Sequence, residues 1–265
     1  MLDFVNFGAE KIQLFVLLMM RIGGIMVAAP IFSHRSIPKK LAVGMSLGFA
    51  TVLLPIMSNA QFPLTESLID LLILCLKEIL VGVFIGFIFS ILFIGVRLAG
   101  SVVGYQIGFA MVNVVDPNSP RPVSILGELW FLLATLIFLF INGHHAIIGG
   151  LVDSFKLIPL GLSTPSGAVG EWIIKYSSFA FILAVKFAAP VMMTVFLVEV
   201  SMGVLARTMP QMNIFIVGFP LKIFTGLLLI GLSLPAFSMI LRNFNAALNK
   251  EMAHLMKLFE VSGNI

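Results

Sequence analysis

Long apolar runs separated by short polar links make up most of the chain. A helix needs about 20 apolar residues to cross roughly 30 Å of hydrocarbon, and in lipid it satisfies its own backbone groups. Residues 12–32 form the first run, followed by a link carrying His34, Arg35, Lys39 and Lys40, and then by the shorter run 41–57. After the link 58–67, which has no basic residue, residues 68–96 exceed one crossing and predict tilt or an extension beyond the lipid. A glycine-rich, more polar segment, 98–115, ends at Asp116-Pro117 and a proline-rich link reaching Pro122. Residues 125–141 are a further span. Residues 142–172 read as the most polar long connection, with turns marked by Pro159, Gly161, Pro165 and Gly167. Runs 173–200 and 214–241 complete the set, the first interrupted by Pro190, the second by Pro220 and Pro235. Beyond them Phe244, Leu248, Met252, Leu255 and Phe259 recur at helical spacing and predict an amphipathic C-terminal helix over 242–265. The expected architecture is all-α: a multispan helical membrane protein of kinked or broken helical hairpins, forming one membrane-embedded domain over 1–265.

The positive-inside rule puts the link with Arg35, Lys39 and Lys40 in the cytoplasm, the link 58–67 outside and the N-terminus outside. Six spans would leave the basic tail outside, while counting 98–115 as a seventh brings it inside, where its charges prefer to be. Such a conflict arises when helices are broken, re-entrant or displaced from the bilayer. The start, Met1-Leu2-Asp3 with Glu10 before Lys11, lacks the basic opening and small-residue cleavage site of a signal peptide, so the first run is expected to be retained.

Composition narrows the function. With 60% apolar and 11% charged residues, against about 45–50% and about 25% in ordinary globular chains, a soluble enzyme is excluded. The net charge of +4 comes from basic residues scattered singly or in pairs between apolar runs. That distribution sets topology in a lipid membrane and does not suit nucleic acid. Cys75 is the sole cysteine, which leaves no disulfide, zinc cluster or redox pair within the chain.

Arg21, Lys77, Glu78, Glu128, Lys186, Glu199 and Lys222 lie well inside apolar runs. A charge at mid-membrane costs about 2.5–3.5 kcal/mol on insertion scales, so each needs a partner or an aqueous wall. Lys77 and Glu78 are neighbours that project in different directions on a helix of 3.6 residues per turn, so each must answer to another helix or another chain. Snorkelling and intramolecular ion pairs are the plain reading of these charges; a subunit interface or polar conduit is the functional one. Glycines four apart allow close helix packing, within the chain or against a partner: Gly44 with Gly48, Gly82 with Gly86, and the triple Gly100, Gly104, Gly108. The run 107–115 that follows carries Phe109 and Met111, bulky but deformable side chains that can close a pore; the plain alternative is a lipid-facing helix. Between Arg207 and Lys222, Pro210 and Pro220 remove backbone donors, and Gln211 and Asn213 can satisfy freed groups or bridge to another chain. A protein-lined interior or a cytoplasmic turn would each account for that pattern.

Catalytic constellations are missing. His144 and His145 are consecutive and lack metalloprotease spacing, no glycine is followed by Lys-Ser or Lys-Thr, and no nucleophile and base are recognisable as a pair. No enzyme activity, metal or cofactor is expected, and energy for any transport must come from partners.

Residues 204–227, VLARTMPQMNIFIVGFPLKIFTGL, closely resemble the signature of the FliR/SctT family of type III secretion export-gate proteins. Residues 75–117, CLKEILVGVFIGFIFSILFIGVRLAGSVVGYQIGFAMVNVVDP, extend the resemblance, as do residues 21–38 with their Pro-Ile-Phe and Ile-Pro elements. The resemblance implies a core component of the flagellar export gate, located in the bacterial inner membrane at the flagellar basal body. Such a component assembles with FliP and FliQ, contacts FlhB and FlhA, and passes unfolded export substrates. It also implies a helical shell lying largely above the usual bilayer plane, with one copy of this chain per gate. The family's plug loop maps onto 106–115, which gives Gln106, Gly108, Phe109, Met111, Val112 and Asn113 a pore-closing role. Arg21, Lys77, Glu78, Glu128, Lys186, Glu199, Arg207, Gln211, Asn213 and Lys222 become inter-subunit or buried polar contacts, beside close packing at Gly82, Gly86, Gly100 and Gly104.

Two rivals remain. A secondary transporter for a small solute would also need broken helices and buried charges, but would work within one chain or a homo-oligomer. An intramembrane enzyme would need an essential residue such as His144 or His145.

Overall fold

The computed structural model describes residues 2–34, 37–58, 62–109, 124–211 and 213–261. Among these residues the helices are α1 (Leu2–Ala28), α2 (Pro30–Ser33), α3 (Lys39–Ile56), α4 (Leu68–Ile107), α5 (Ile125–Phe140), α6 (Gly143–Leu157), α7 (Gly167–Thr208) and α8 (Ile214–Lys257). Two three-residue strands, β1 (Ser163–Pro165) and β2 (Phe259–Val261), pair antiparallel. The class is therefore all-α. Five helices are long and apolar enough to cross a membrane, six if α5 and α6, interrupted at Ile141 and Asn142, count as one broken span.

The elements depart from the sequence pattern in four places, the tail among them. Residues 68–107 form one helix of 40 residues, about 60 Å at 1.5 Å per residue, where the pattern predicts a division at Arg97. Arginine is a good helix former, and Arg97 has a partner: its guanidinium lies 3.3 Å from the Glu128 carboxylate and 4.3 Å from the centroid of the Phe131 ring. The segment read as a polar connection, 142–172, is mostly helical, holding α6 and the start of α7. Asn142, at φ 58°, restarts the helix, and the chain turns at Gly161, at φ 71°. The third departure concerns proline. Pro55, Pro190, Pro220 and Pro235 all lie inside helices that run through them. Each removes a backbone bond, yet in membrane-type helices neighbouring groups and hydroxyls tolerate the loss. Pro210, by contrast, coincides with a break, the turn between α7 and α8.

The chain gathers into two compact units, one from Met1–Ile91, Asn142–Tyr176 and Asn245–Ile265, the other from Leu92–Ile141 and Ser177–Phe244. In the first unit, Leu17, Leu18, Ile22 and Ile25 of α1 are buried together with Ile85 and Ile88 of α4. The tail does not form a separate helix: it continues α8 to Lys257, burying Leu248, Met252, Leu255 and Met256, and then enters β2. Ser163 pairs with Val261 there, and the Phe259 ring packs 5.9 Å from that of Phe84. The second unit has an aromatic core. Phe93 of α4 meets Phe131 and Phe138 of α5 at 5.5 and 5.6 Å. Phe237 of α8 meets Trp130 at 5.6 Å and Phe187 of α7 at 4.4 Å.

Candidate functional site

In the first unit, Gly24 of α1 lies against Gly82 of α4, and a Cβ on either would run into the backbone of the other helix. Gly86 meets Ala28 and Ala29 in the same way. This close approach brings Arg21, one turn before Gly24, to Glu78, one turn before Gly82. Arg21 Nε donates to Glu78 Oε2 at 2.5 Å, and neither side chain has exposed surface. Burying a lone charge is prohibitive, so the remaining valences matter. Arg21 Nη1 donates to the carbonyls of Ser154 and Ile158, each at 2.9 Å. Glu78 Oε1 accepts from the Gly161 N–H at 2.7 Å. The guanidinium also lies 4.7 Å from the centroid of Phe155, a cation–π contact that is stronger when desolvated. The knot joins α1, α4, α6 and the turn at Gly161.

In the second unit the end of α4 is held on three sides. Gly95 lies against Ala180 and Leu183 of α7, and Gly100 against Leu126 and Gly127 of α5. Gly104 faces Ser124, whose hydroxyl caps α5 by accepting from the Gly127 N–H at 3.0 Å. Gln106 Nε2 donates to the Met192 carbonyl of α7 at 3.0 Å, and Ile107 packs where Gly226 of α8 has no side chain. Gly108 then ends the helix at φ 97°, a left-handed conformation for which glycine is suited, with the Phe219 ring against it. Phe109 follows in the turn, half-buried. Met111, Val112 and Asn113 lie outside the described residues.

Phe219 also lines a cavity of about 260 Å³ beside the turn between α7 and α8. Glu199 and Lys222 close part of its wall through an ion pair of 2.6 Å. The chain thus supplies its own partners for Arg21, Glu78, Glu128, Glu199 and Lys222, which is the intramolecular alternative of the two readings these charges allowed. The cause is geometric: helix faces that sequence alone does not orient bring these opposite charges together. Lys77 is half-buried, Lys186 and Arg207 are exposed, and none of the three makes an ion pair among the described residues. Gln211 is exposed, as is Asn213, whose side-chain oxygen accepts from the Phe215 N–H at 3.1 Å. Gly44 and Gly48 have open space where a Cβ would stand.

Sequence reasoning missed Arg97 as the partner of Glu128, Gly24 and Gly127 as the glycines facing Gly82 and Gly100, and Phe219. The spacing carried one usable hint: Arg21 precedes Gly24 by three residues and Glu78 precedes Gly82 by four, so charge and glycine share a helix face in each case. Chemically, these residues offer neutralised charges and apolar walls. No group of three or more potential metal ligands occurs among the described residues.

The family model of bacterial export proteins, family 1, matches residues 12–248. The chain is similar to the flagellar biosynthetic protein FliR of Bacillus subtilis (strain 168), with 31% identity over 251 residues, covering 94% of this chain and 96% of that protein. Against FliR of Escherichia coli (strain K12) identity is 30% over 217 residues, 82% of each chain. Against that of Aquifex aeolicus (strain VF5) it is 28% over 223 residues, covering 84% and 86%.

Proposed function

Because the chain belongs to family 1 of the bacterial export proteins, the family of the flagellar biosynthetic protein FliR, we propose that it is a core subunit of a flagellar protein-export gate in the bacterial inner membrane. Its companions in that gate are FliP and FliQ homologues, with FlhB and FlhA homologues as further contacts. It passes unfolded flagellar substrates and performs no chemistry of its own. The observation that carries this reading is the match over residues 12–248, which includes the segment that would close the channel.

Closure in this reading is steric. Phe109, Met111, Val112 and Asn113 follow a stem, Gln106 to Gly108, that is fixed to Met192, Gly226 and Phe219. A segment that begins at a fixed stem can yield to a passing chain and return without the stem moving. The exposed Lys186, Arg207, Gln211 and Asn213 are then available to neighbouring subunits.

Purification in mild detergent tests the assembly: the chain should co-purify in a fixed ratio with two other small membrane proteins. A solitary chain that moves a small solute would end the reading in favour of a secondary transporter. Deleting residues 109–113 should raise ion leakage through the assembled gate. Unchanged conductance in a deletion that still assembles would reject the plug.

A further inference from the structure

The first unit holds an apolar cavity of about 510 Å³ bounded by α1, α2, α3 and α4. Its volume lies within the roughly 300–1,000 Å³ of small-molecule sites. Met19, Met20, Phe32 and Val83 form much of the wall, and the cavity reaches the surface at Val27 and Val43, which are 70% and 57% exposed. Methionines give such a wall the ability to adapt to an irregular apolar guest. The interior has little polar capacity to offer, because the Ser46 hydroxyl is already donated to the Ala42 carbonyl at 2.9 Å. The rim is different. Lys39 lines the cavity and Lys40 follows it; both are exposed, and neither has an ion-pair partner among the described residues.

A hydrocarbon slot with the Lys39 ammonium group at its edge and a second, exposed lysine one residue on selects a guest that is apolar along its length and anionic at one end. We propose that the cavity holds one acyl chain of an anionic phospholipid, with its phosphate at Lys39 and the neighbouring Lys40 adding longer-range attraction. An apolar side chain from a neighbouring protein would fill the slot but leave both ammonium groups without a counter-ion. The phospholipid satisfies slot and rim together, and the exposed Val27 and Val43 give it an entrance from the side. This site is independent of the export reading, since it requires only the chain and a membrane.

Gly23 supplies a clean test, because it lines the cavity and a Cβ there would meet only the Ser46 hydroxyl, at 4.0 Å. The full chain is purified in detergent, and retained lipid is counted by native mass spectrometry. Phosphatidylglycerol and phosphatidylcholine of matched acyl chains are titrated in separately. The expected result is one phosphatidylglycerol per chain and no comparable retention of phosphatidylcholine. Gly23→Leu should abolish retention with an unchanged melting temperature. Lys39→Gln with Lys40→Gln should weaken it by about 5-fold for each lysine. Being exposed, these two replacements decide the matter even if Gly23→Leu does not fold. Equal retention of the two lipids, or full retention by the lysine variant, would overturn the proposal. So would a folded Gly23→Leu variant that keeps its lipid, or that loses only co-purifying proteins, in which case the slot belongs to a polypeptide.

Discussion

A guanidinium with no exposed surface needs acceptors for its protons, and Arg21 finds three through Nε and Nη1, one carboxylate oxygen and two main-chain carbonyls, while Nη2 has no hydrogen-bond partner among the described residues. The pair is therefore vulnerable from one side and replaceable from both. Glu78→Ala strands the Arg21 charge and should cost about 3–5 kcal/mol, the range for breaking a buried pair, whereas Arg21→Met combined with Glu78→Leu should come near wild-type stability. Thermal unfolding in detergent distinguishes the two; equal losses in both would mean that packing, not charge, dominates. The sequence marks both residues as out of place in an apolar run. It does not say that they belong to each other, because 57 residues separate them and their meeting depends on which faces of α1 and α4 are turned together. Ser154, Ile158 and Gly161 were illegible for a simpler reason: they contribute backbone groups, which every residue carries.

At the scale of elements, the glycines divide into those that touch another backbone and those that do not. Gly82 carries the α1–α4 contact, so Gly82→Leu should force the helices apart and lower the melting temperature of the detergent-solubilised protein by many degrees. Gly44 meets nothing, so Gly44→Ala should stabilise α3 by about 0.5–1 kcal/mol through helix propensity and reduced freedom of the unfolded chain. A Gly82→Leu variant as stable as wild type would refute the close approach. The four-residue spacing that identifies Gly82 also picks out Gly44 and Gly48, and only the fold separates them. Hydropathy likewise located the long apolar helices but misplaced the break at Arg97, since periodicity registers a charge and cannot register the carboxylate opposite it.

For the molecule as a whole, the apolar surface is larger than its own core can use. Phe181, Ile182, Val185, Met193 and Phe196 are all exposed along α7, with Lys186 among them. Lipid accepts the apolar side chains, but the ammonium group calls for an acidic neighbour or an interface with water. Lys186→Met should thus leave the stability of the isolated chain unchanged and, under the proposed function, reduce co-purification of the proposed gate partners. Unaltered recovery of those partners would take Lys186 out of the assembly surface. All-α membrane character was readable from composition and run length alone. The division into two units was not, because each is made from segments far apart in sequence, and no local signal marks where Ile91 gives way to Leu92 inside a continuous helix.

The interleaving bears on the order in which the protein can be made. The ribosome delivers α1 and α4 early, yet the first unit also needs residues 245–261, whose α8 face and β2 strand complete it. Until they emerge, Gly150 lacks Met252, and β1 has no strand to join. Nascent chains stalled before residue 245 should consequently remain open to proteolysis around β1, a vulnerability that translation removes only in its last steps.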